Sequence, residues 1–424
     1  MNKHDSLYQS YVQILKEELI PAMGCTEPIA IAYAASKARD ILGSLPDKIQ
    51  VEASGSLIKN VKSVIVPHTQ HLKGIPAATV AGIIAGDTER KLEVISQVTQ
   101  EQIEHMKNYL QEVDIDVKYL ESESVFDLIM TVYKKNEYAK VRITDYHTQI
   151  VSIEKNGKNL FHIHHASHHQ KASTDRDLLS MEKIWDFIQE LDVDDVKETL
   201  DRQIEYNMKI ANEGMNHHYG ANIGQVLLKA YPQDIKTKAK AYAASGSDAR
   251  MNGCELPVVI NSGSGNQGMT CSIPVIIYAR ELKVEDRKLY QALALSNLIA
   301  IHQKAGIGTL SAYCGAVSAG AAAGAGIAFL CGGNYKDVIH TFVNALAIVS
   351  GMICDGAKAS CAAKIAASVD AGILGYEMYK HGQQFYGGDG IVTKGVEKTI
   401  HNVCRLGKDG MKETNKEIIK MMVE

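Results

Sequence analysis

Four of the eight cysteines in this 424-residue chain stand where a thiol can do chemistry. Cys25 lies in "PAMGCTEPIAIA", directly before an Ala-rich helical run. A thiol near a helix start or a positive centre ionises more easily, and the thiolate can then take a proton from a substrate carbon. A turn cysteine packed into a helix start is the plain alternative. Cys314 in "SAYCGAVSAG", and Cys354 and Cys361 in "MICDGAKASCAAK", are flanked by glycine and other small residues. Such flanks let backbone approach an anionic iron-sulfur cluster and donate N–H groups to its sulfurs. Their spacing matches neither a zinc ribbon nor a ferredoxin run, and free cysteine is often buried, so core packing stays open on spacing alone. Cys254, Cys271, Cys331 and Cys404 share that plain reading, and Cys331 and Cys404 are expected in the core.

Polar loops could supply substrate contacts. Thr26 and the backbone of "GCTEP" can cradle a carboxylate at a helix N-terminus or simply cap that helix. "NSGSGNQG" offers Asn261, Ser262, Ser264 and Asn266 in a tightly turning backbone. It lacks the lysine of a phosphate loop and does not follow the strand of a dinucleotide fingerprint. Ser54 and Ser56 in "ASGSLIKN" join a strand to a loop, facing a site or occupying a bulge. The five histidines of "FHIHHASHHQ" (His162, His164, His165, His168, His169) are expected to be exposed, since strand alternation would align only His162 and His164. His302 and Lys304 either bring positive charge to the cysteines or end a solvated helix.

The elements that must position these residues read as α+β. Helical spacing covers residues 1 to about 40, broken between Pro21 and Pro28, and strands are expected at 49–53 and 61–66. Helices follow at "GIPAATVAGIIAG" and "LEVISQVTQEQIEHMKNYLQE", then four strand-like runs to "QIVSIEKNG". A turn-rich segment near residue 175 separates this N-terminal α/β domain, 1–175, from a mainly helical domain, 176–424. The uncharged Gly/Ala-rich run from Ala305 to Tyr335 is long enough for a membrane span. Its small residues gain little in lipid and suit close helix packing, so a buried central helix near residue 320 is expected, with no membrane partner. The formal charge of −4 offers no footprint for nucleic acid. The charged N-terminal helix is no signal peptide, which places the protein in the cytoplasm, where disulfides are rare. A small-molecule partner is expected, and the large apolar helical half is compatible with a homo-oligomer.

Five blocks, "PAMGCTEPIAIA", "ASGSLIKN", "NSGSGNQGMTCSIP", "SAYCGAVSAGAAAG" and "CDGAKASCAAK", occur in one order along nearly the whole chain. Together they resemble the L-cysteine desulfidase family, related to the iron-sulfur L-serine dehydratases. The resemblance implies a 4Fe-4S cluster on Cys314, Cys354 and Cys361 with one iron free of protein thiolate. It makes Cys25 either the base for the Cα proton or a displaceable ligand of that iron. It also implies substrate contacts from Thr26, Ser54, Ser56, Asn261, Ser262 and Asn266. The activity implied is β-elimination of L-cysteine to sulfide, pyruvate and ammonia, without pyridoxal phosphate. L-Serine dehydration by the same mechanism is the nearest alternative. A non-catalytic iron-sulfur sensor is the rival from another class, and a membrane carrier built on the Gly/Ala helix is a third.

Overall fold

The computed structural model describes residues 1–23, 26–122, 124–163, 174–308 and 311–423. The first half runs α1 (Ser6–Glu18), β1 (Pro21–Met23), α2 (Thr26–Leu42), β2 (Lys48–Ser54), α3 (Gly55–Val61), α4 (Gly74–Ala85) and α5 (Gln100–Glu112). Five strands follow: β3 (Asp114–Leu120), β4 (Asp127–Lys134), β5 (Glu137–Thr144), β6 (Ile150–Lys155) and β7 (Lys158–His162). The second half contains α6 (Met181–Glu190), α7 (Lys197–Asn216), α8 (Ile223–Ala230), α9 (Ile235–Met251), β8 (Pro257–Val259) and α10 (Gly265–Glu281). It closes with α11 (Asp286–Ile307), α12 (Gly315–Leu330), α13 (Tyr335–Val349), α14 (Cys361–Lys380), α15 (Val396–Arg405) and α16 (Lys412–Val423).

The protein is α+β. Its main sheet has the order β3-β2-β4-β5-β6-β7, with β2 and β3 parallel and the remaining pairs antiparallel. Period-two alternation places Ile49, Val51 and Ala53 of β2 beside Leu128, Met130 and Val132 of β4 on one fully buried face. Helix α2 covers that face, and α4 packs against α2. They approach so closely that a Cβ on Gly82 would sit 2.1 Å from the carbonyl oxygen of Ala32. The parallel return from β2 to β3 needs a long crossover, and α3, α4 and α5 supply it.

A second apolar core gathers α6, α7 and α9–α15 around α12, and α1 joins it through Tyr8, Tyr11, Ile14 and Leu15. The first helix is thus buried among the later ones, while Met422 of α16 packs on the core beneath the sheet. A two-strand ladder also ties the halves together, with Pro21 opposite Val259 and Met23 opposite Pro257. The buried Gly/Ala helix is α12. Its Gly324 lies where a Cβ would meet the Gly372 carbonyl oxygen at 2.5 Å, so small residues set the separation of α12 and α14. Among the described residues, no helix is long and apolar enough to cross a membrane.

Several local expectations change. The strand expected at 61–66 is absent: Gly55–Val61 is α3, and only Ile65 makes a bridge, to Lys73. Leu57, Ile58 and Val61 repeat at helical spacing and are buried, and tertiary burial outweighs the β-branched bias. The helix expected from Leu92 begins only at Gln100, where Thr99 and Gln102 form a capping box. Asn156 and Gly157, both with positive φ, turn β6 back into the additional strand β7. His162 lies in β7 and is exposed, whereas His164, His165, His168 and His169 lie outside the described residues. Cys331 is exposed at the end of α12 and is not a core residue.

Candidate active site

Two short backbone segments bring the cysteines together. Cys314 N–H donates to the Met352 carbonyl at 3.1 Å, and Cys354 N–H donates to the Ala312 carbonyl at 2.6 Å, closing a bridge between Tyr313 and Ile353. Cys314 is then the N-cap of α12, and Cys361, after the loop from Cys354, is the first residue of α14. Thiols at two helix starts lie near the positive ends of the dipoles, and Cys314 also interacts with the Ala316 N–H, a setting that favours anionic sulfur. Each thiol feels the others: burial first, then the Cys354 thiol, pushes Cys314 up to about 12, and burial also raises Cys361. The described cysteines are all free thiols.

Positive charge surrounds this pocket. Lys59 of α3 and Lys304 of α11 both act on Cys354 and Cys314, and burial pushes both ammonium groups below the usual lysine range. Lys358 and Lys364 act on Cys361 and share Asp355 in ion pairs. Asp355 is burdened by partial burial, but the two lysines hold it at about 2. Lys59 is delivered by a tight approach of the two halves: Gly356, at φ +96°, leaves room for its carbonyl oxygen, which a Cβ would meet at 2.0 Å. The Lys59 ammonium donates to Asn415 Oδ1 at 2.6 Å. Lysine in "SLIKN" looks like a solvated helix residue, so sequence reasoning passed over it. Lys304, by contrast, lies on the pocket side of its helix end, and His302 pairs instead with Glu397 at 2.9 Å.

The expected substrate residues divide. Cys25 and the side chain of Thr26 lie outside the described residues; Thr26 opens α2, whose Glu27 accepts a bond from Asn60 of α3 at 3.2 Å, one residue from Lys59. Ser54 is buried and engaged with backbone, donating to Val125 O at 2.8 Å and accepting from Asp127 N–H at 3.3 Å. Ser56 is half-buried on α3. Asn261 is fully buried, donating to Asn297 Oδ1 at 2.9 Å and accepting from Ser262 Oγ at 2.9 Å. Neither Ser54 nor Asn261 therefore turns its polar atoms to the pocket. Asn266 does stand close, its amide on Met251 Sδ at 3.6 Å, and Met251 packs with Cys361. Gln267, not singled out in the sequence, lies against Gly315, where a Cβ would meet its side chain at 2.5 Å. The oxygens Asn266 Oδ1 and Gln267 Oε1 are buried and find no hydrogen-bond partner among the described residues.

Among the described residues, no three His, Cys, Asp or Glu side chains converge on a single-ion site. A cluster takes each thiolate on a different iron and needs no such convergence. The donor set fits one: three thiols, two of them at helix starts, glycines at the closest approaches, and four ammonium groups around them. Metal binding would take these ligands as thiolates and release their protons.

An α+β scaffold that gathers three thiols and four ammonium groups where the sheet half meets the helical half is the kind of site a lyase can use. The chain belongs to the serine dehydratase alpha chain family, a lyase family whose model matches residues 89–420. The matched span contains the 261–268 loop and all three pocket cysteines and begins after Cys25. The chain is 60% identical to a UPF0597 protein of Desulfitobacterium hafniense, covering 100% of this chain and 98% of that protein. Similar proteins of the same name are 51% identical in Lachnoclostridium phytofermentans and 46% identical in Finegoldia magna, each covering 98% of this chain and 100% of the relative.

Proposed function

We propose that the protein is an iron-sulfur lyase that converts L-cysteine and water to sulfide, pyruvate and ammonia in the cytoplasm. The observation that carries this reading is the backbone bridge that joins Cys314 to Cys354 beside Cys361 in a pocket ringed by ammonium groups. Cys314, Cys354 and Cys361 would hold a 4Fe-4S cluster, which supplies Lewis acidity at an iron free of protein thiolate. The chain's own residues do the rest. Cys25, immediately before α2, takes the Cα proton, or ligates in the resting enzyme and gives way to substrate. Asn266 and Gln267 hold unpartnered acceptor oxygens suited to a substrate ammonium. The released 2-aminoacrylate tautomerises and hydrolyses without further catalysis.

A second reading, L-serine as substrate, is favoured by the description of the matched family. Hydroxyl and thiol differ by one atom, so the two are separated by assay. Protein purified without oxygen and reconstituted with iron and sulfide is tested for sulfide and pyruvate release from L-cysteine and pyruvate release from L-serine. Equal sulfide and pyruvate from cysteine, lost in Cys25→Ala, supports the desulfidase reading. Pyruvate from serine alone moves the substrate to serine. A protein that holds a cluster and turns over neither amino acid defeats the lyase reading for both.

A further inference from the structure

Lys59 and Lys304 reach the cysteine pocket from opposite halves of the molecule, and among the described residues neither has a carboxylate partner. Lys59 is only 5% exposed and donates to the neutral Asn415 Oδ1; Lys304 donates to the Gly308 carbonyl at 2.7 Å. Asp355 acts on Lys59 from a distance, but its carboxylate is already shared by Lys358 and Lys364. The buried Lys59 and half-buried Lys304 ammonium groups therefore each have donors to spare. They also repel one another.

Burying a cation without a counter-ion is costly, so such a pair persists where an anion offsets it. A cluster core with two positive charges and three thiolates would supply one net negative charge, against four ammonium groups and one carboxylate in the surrounding shell. The chain still has positive charge in excess, next to the acceptor oxygens of Asn266 and Gln267. Cations on one side and unpartnered acceptors on the other are the complement of an amino-acid zwitterion.

We propose that Lys59 and Lys304 together bind the carboxylate of the amino-acid substrate, and so restrict the enzyme to α-carboxylate substrates. The proposal rests on the lyase reading above. It makes the substrate site a product of domain closure, because α3 supplies one cation and α11 the other.

The test measures binding by calorimetry on the full chain purified without oxygen, with iron determined on the same sample. L-Alanine, which has no leaving group, is compared with L-alaninamide, which has no carboxylate. Parental protein should bind alanine at least about tenfold more tightly than alaninamide. Lys59→Met and Lys304→Met should each weaken alanine binding about 10- to 100-fold and leave alaninamide unchanged, as expected when one member of a desolvated charge pair is removed. Alanine should raise the melting temperature of the parent and of neither variant, and both variants should melt no lower than the parent, which separates loss of the site from loss of the fold. The proposal is overturned if the parent binds no alanine, if alanine and alaninamide bind alike, or if both variants bind alanine as the parent does. Discrimination in a sample that takes up no iron would keep the lysine site and sink the cluster; iron without discrimination would do the reverse.

Discussion

Gly356 is the position where one methyl group should separate the sheet half from the cysteine loop. Its φ of +96° lies in the left-handed region, and an added Cβ would stand 2.0 Å from the Lys59 carbonyl oxygen and 2.8 Å from its carbonyl carbon. Non-bonded carbon contacts are comfortable near about 3.5 Å, so the loop would have to retreat by more than about 1 Å. The obstacle is helix backbone, which cannot rotate aside. Left-handed strain costs about 1–2 kcal/mol and overpacking about 1–3 kcal/mol, so Gly356→Ala should destabilise by about 2–5 kcal/mol. Asn tolerates the left-handed region, so Gly356→Asn keeps the clash while shedding most of the strain and should remain clearly destabilised. Because the loop carries Cys354 and Cys361, both variants should also retain less iron after reconstitution. Urea unfolding and iron per chain are the two readouts. Parental midpoints and parental iron in Gly356→Ala would refute the close approach of α3 to the loop and, with it, the delivery of Lys59.

Three further predictions test the scaffold. Asp248 is fully buried, accepts from Gly224 N–H at 3.1 Å, and is pushed by burial up to about 6. The folded state thus prefers the protonated acid, and the contribution of Asp248 to stability is greatest below the unfolded value near 3.8 and falls as pH rises to 6; that loss is at most about 3 kcal/mol. Asp248→Asn should flatten that slope, as denaturant midpoints at pH 4.5 and 7 would reveal, and an unchanged slope would exclude Asp248 as its source. Asn297 joins Gln203, Asn261 and Cys271 in one buried network, exchanging bonds with Gln203 at 2.8 and 3.0 Å. Asn297→Leu strands at least two buried amides at about 1–3 kcal/mol each, and a loss of under about 1 kcal/mol in urea unfolding would contradict the network. Gly324→Ala should force α12 from α14 and cost about 1–3 kcal/mol, against little change for Gly351→Ala, where φ is not positive and a Cβ would meet nothing; equal melting temperatures for the two variants would count against the close crossing.

How legible the molecule was depended on where each signal is stored. Alternation in β2 and β4, the Gly/Ala composition of α12 and the turn chemistry before strands are local, and a half-buried strand or a close-packed helix needs those residues whatever else surrounds it. Helix α3 is not legible locally because its apolar triad is short and two of its three members are β-branched, and only docking against α2 and α16 makes Leu57, Ile58 and Val61 a buried face. The assignment of α1 to the helical core depended on the same long-range packing, since its amphipathic face fits either half equally well.

At the site, the sequence by itself determined the reactive types: three thiols among small residues, and a serine- and asparagine-bearing loop, because thiol chemistry and tight turns demand particular residues. Tertiary structure decided which of them meet. It joined Cys314 to Cys354 through backbone bonds, turned Asn261 and Ser54 inward to satisfy their own buried polar groups, and left Asn266 and Gln267 oxygens unpartnered. It alone converted Lys59 into a buried cation. A lysine reads as solvent-facing in any local window, and its charge becomes informative only when two separately folded surfaces close over it and remove the water that would otherwise screen it.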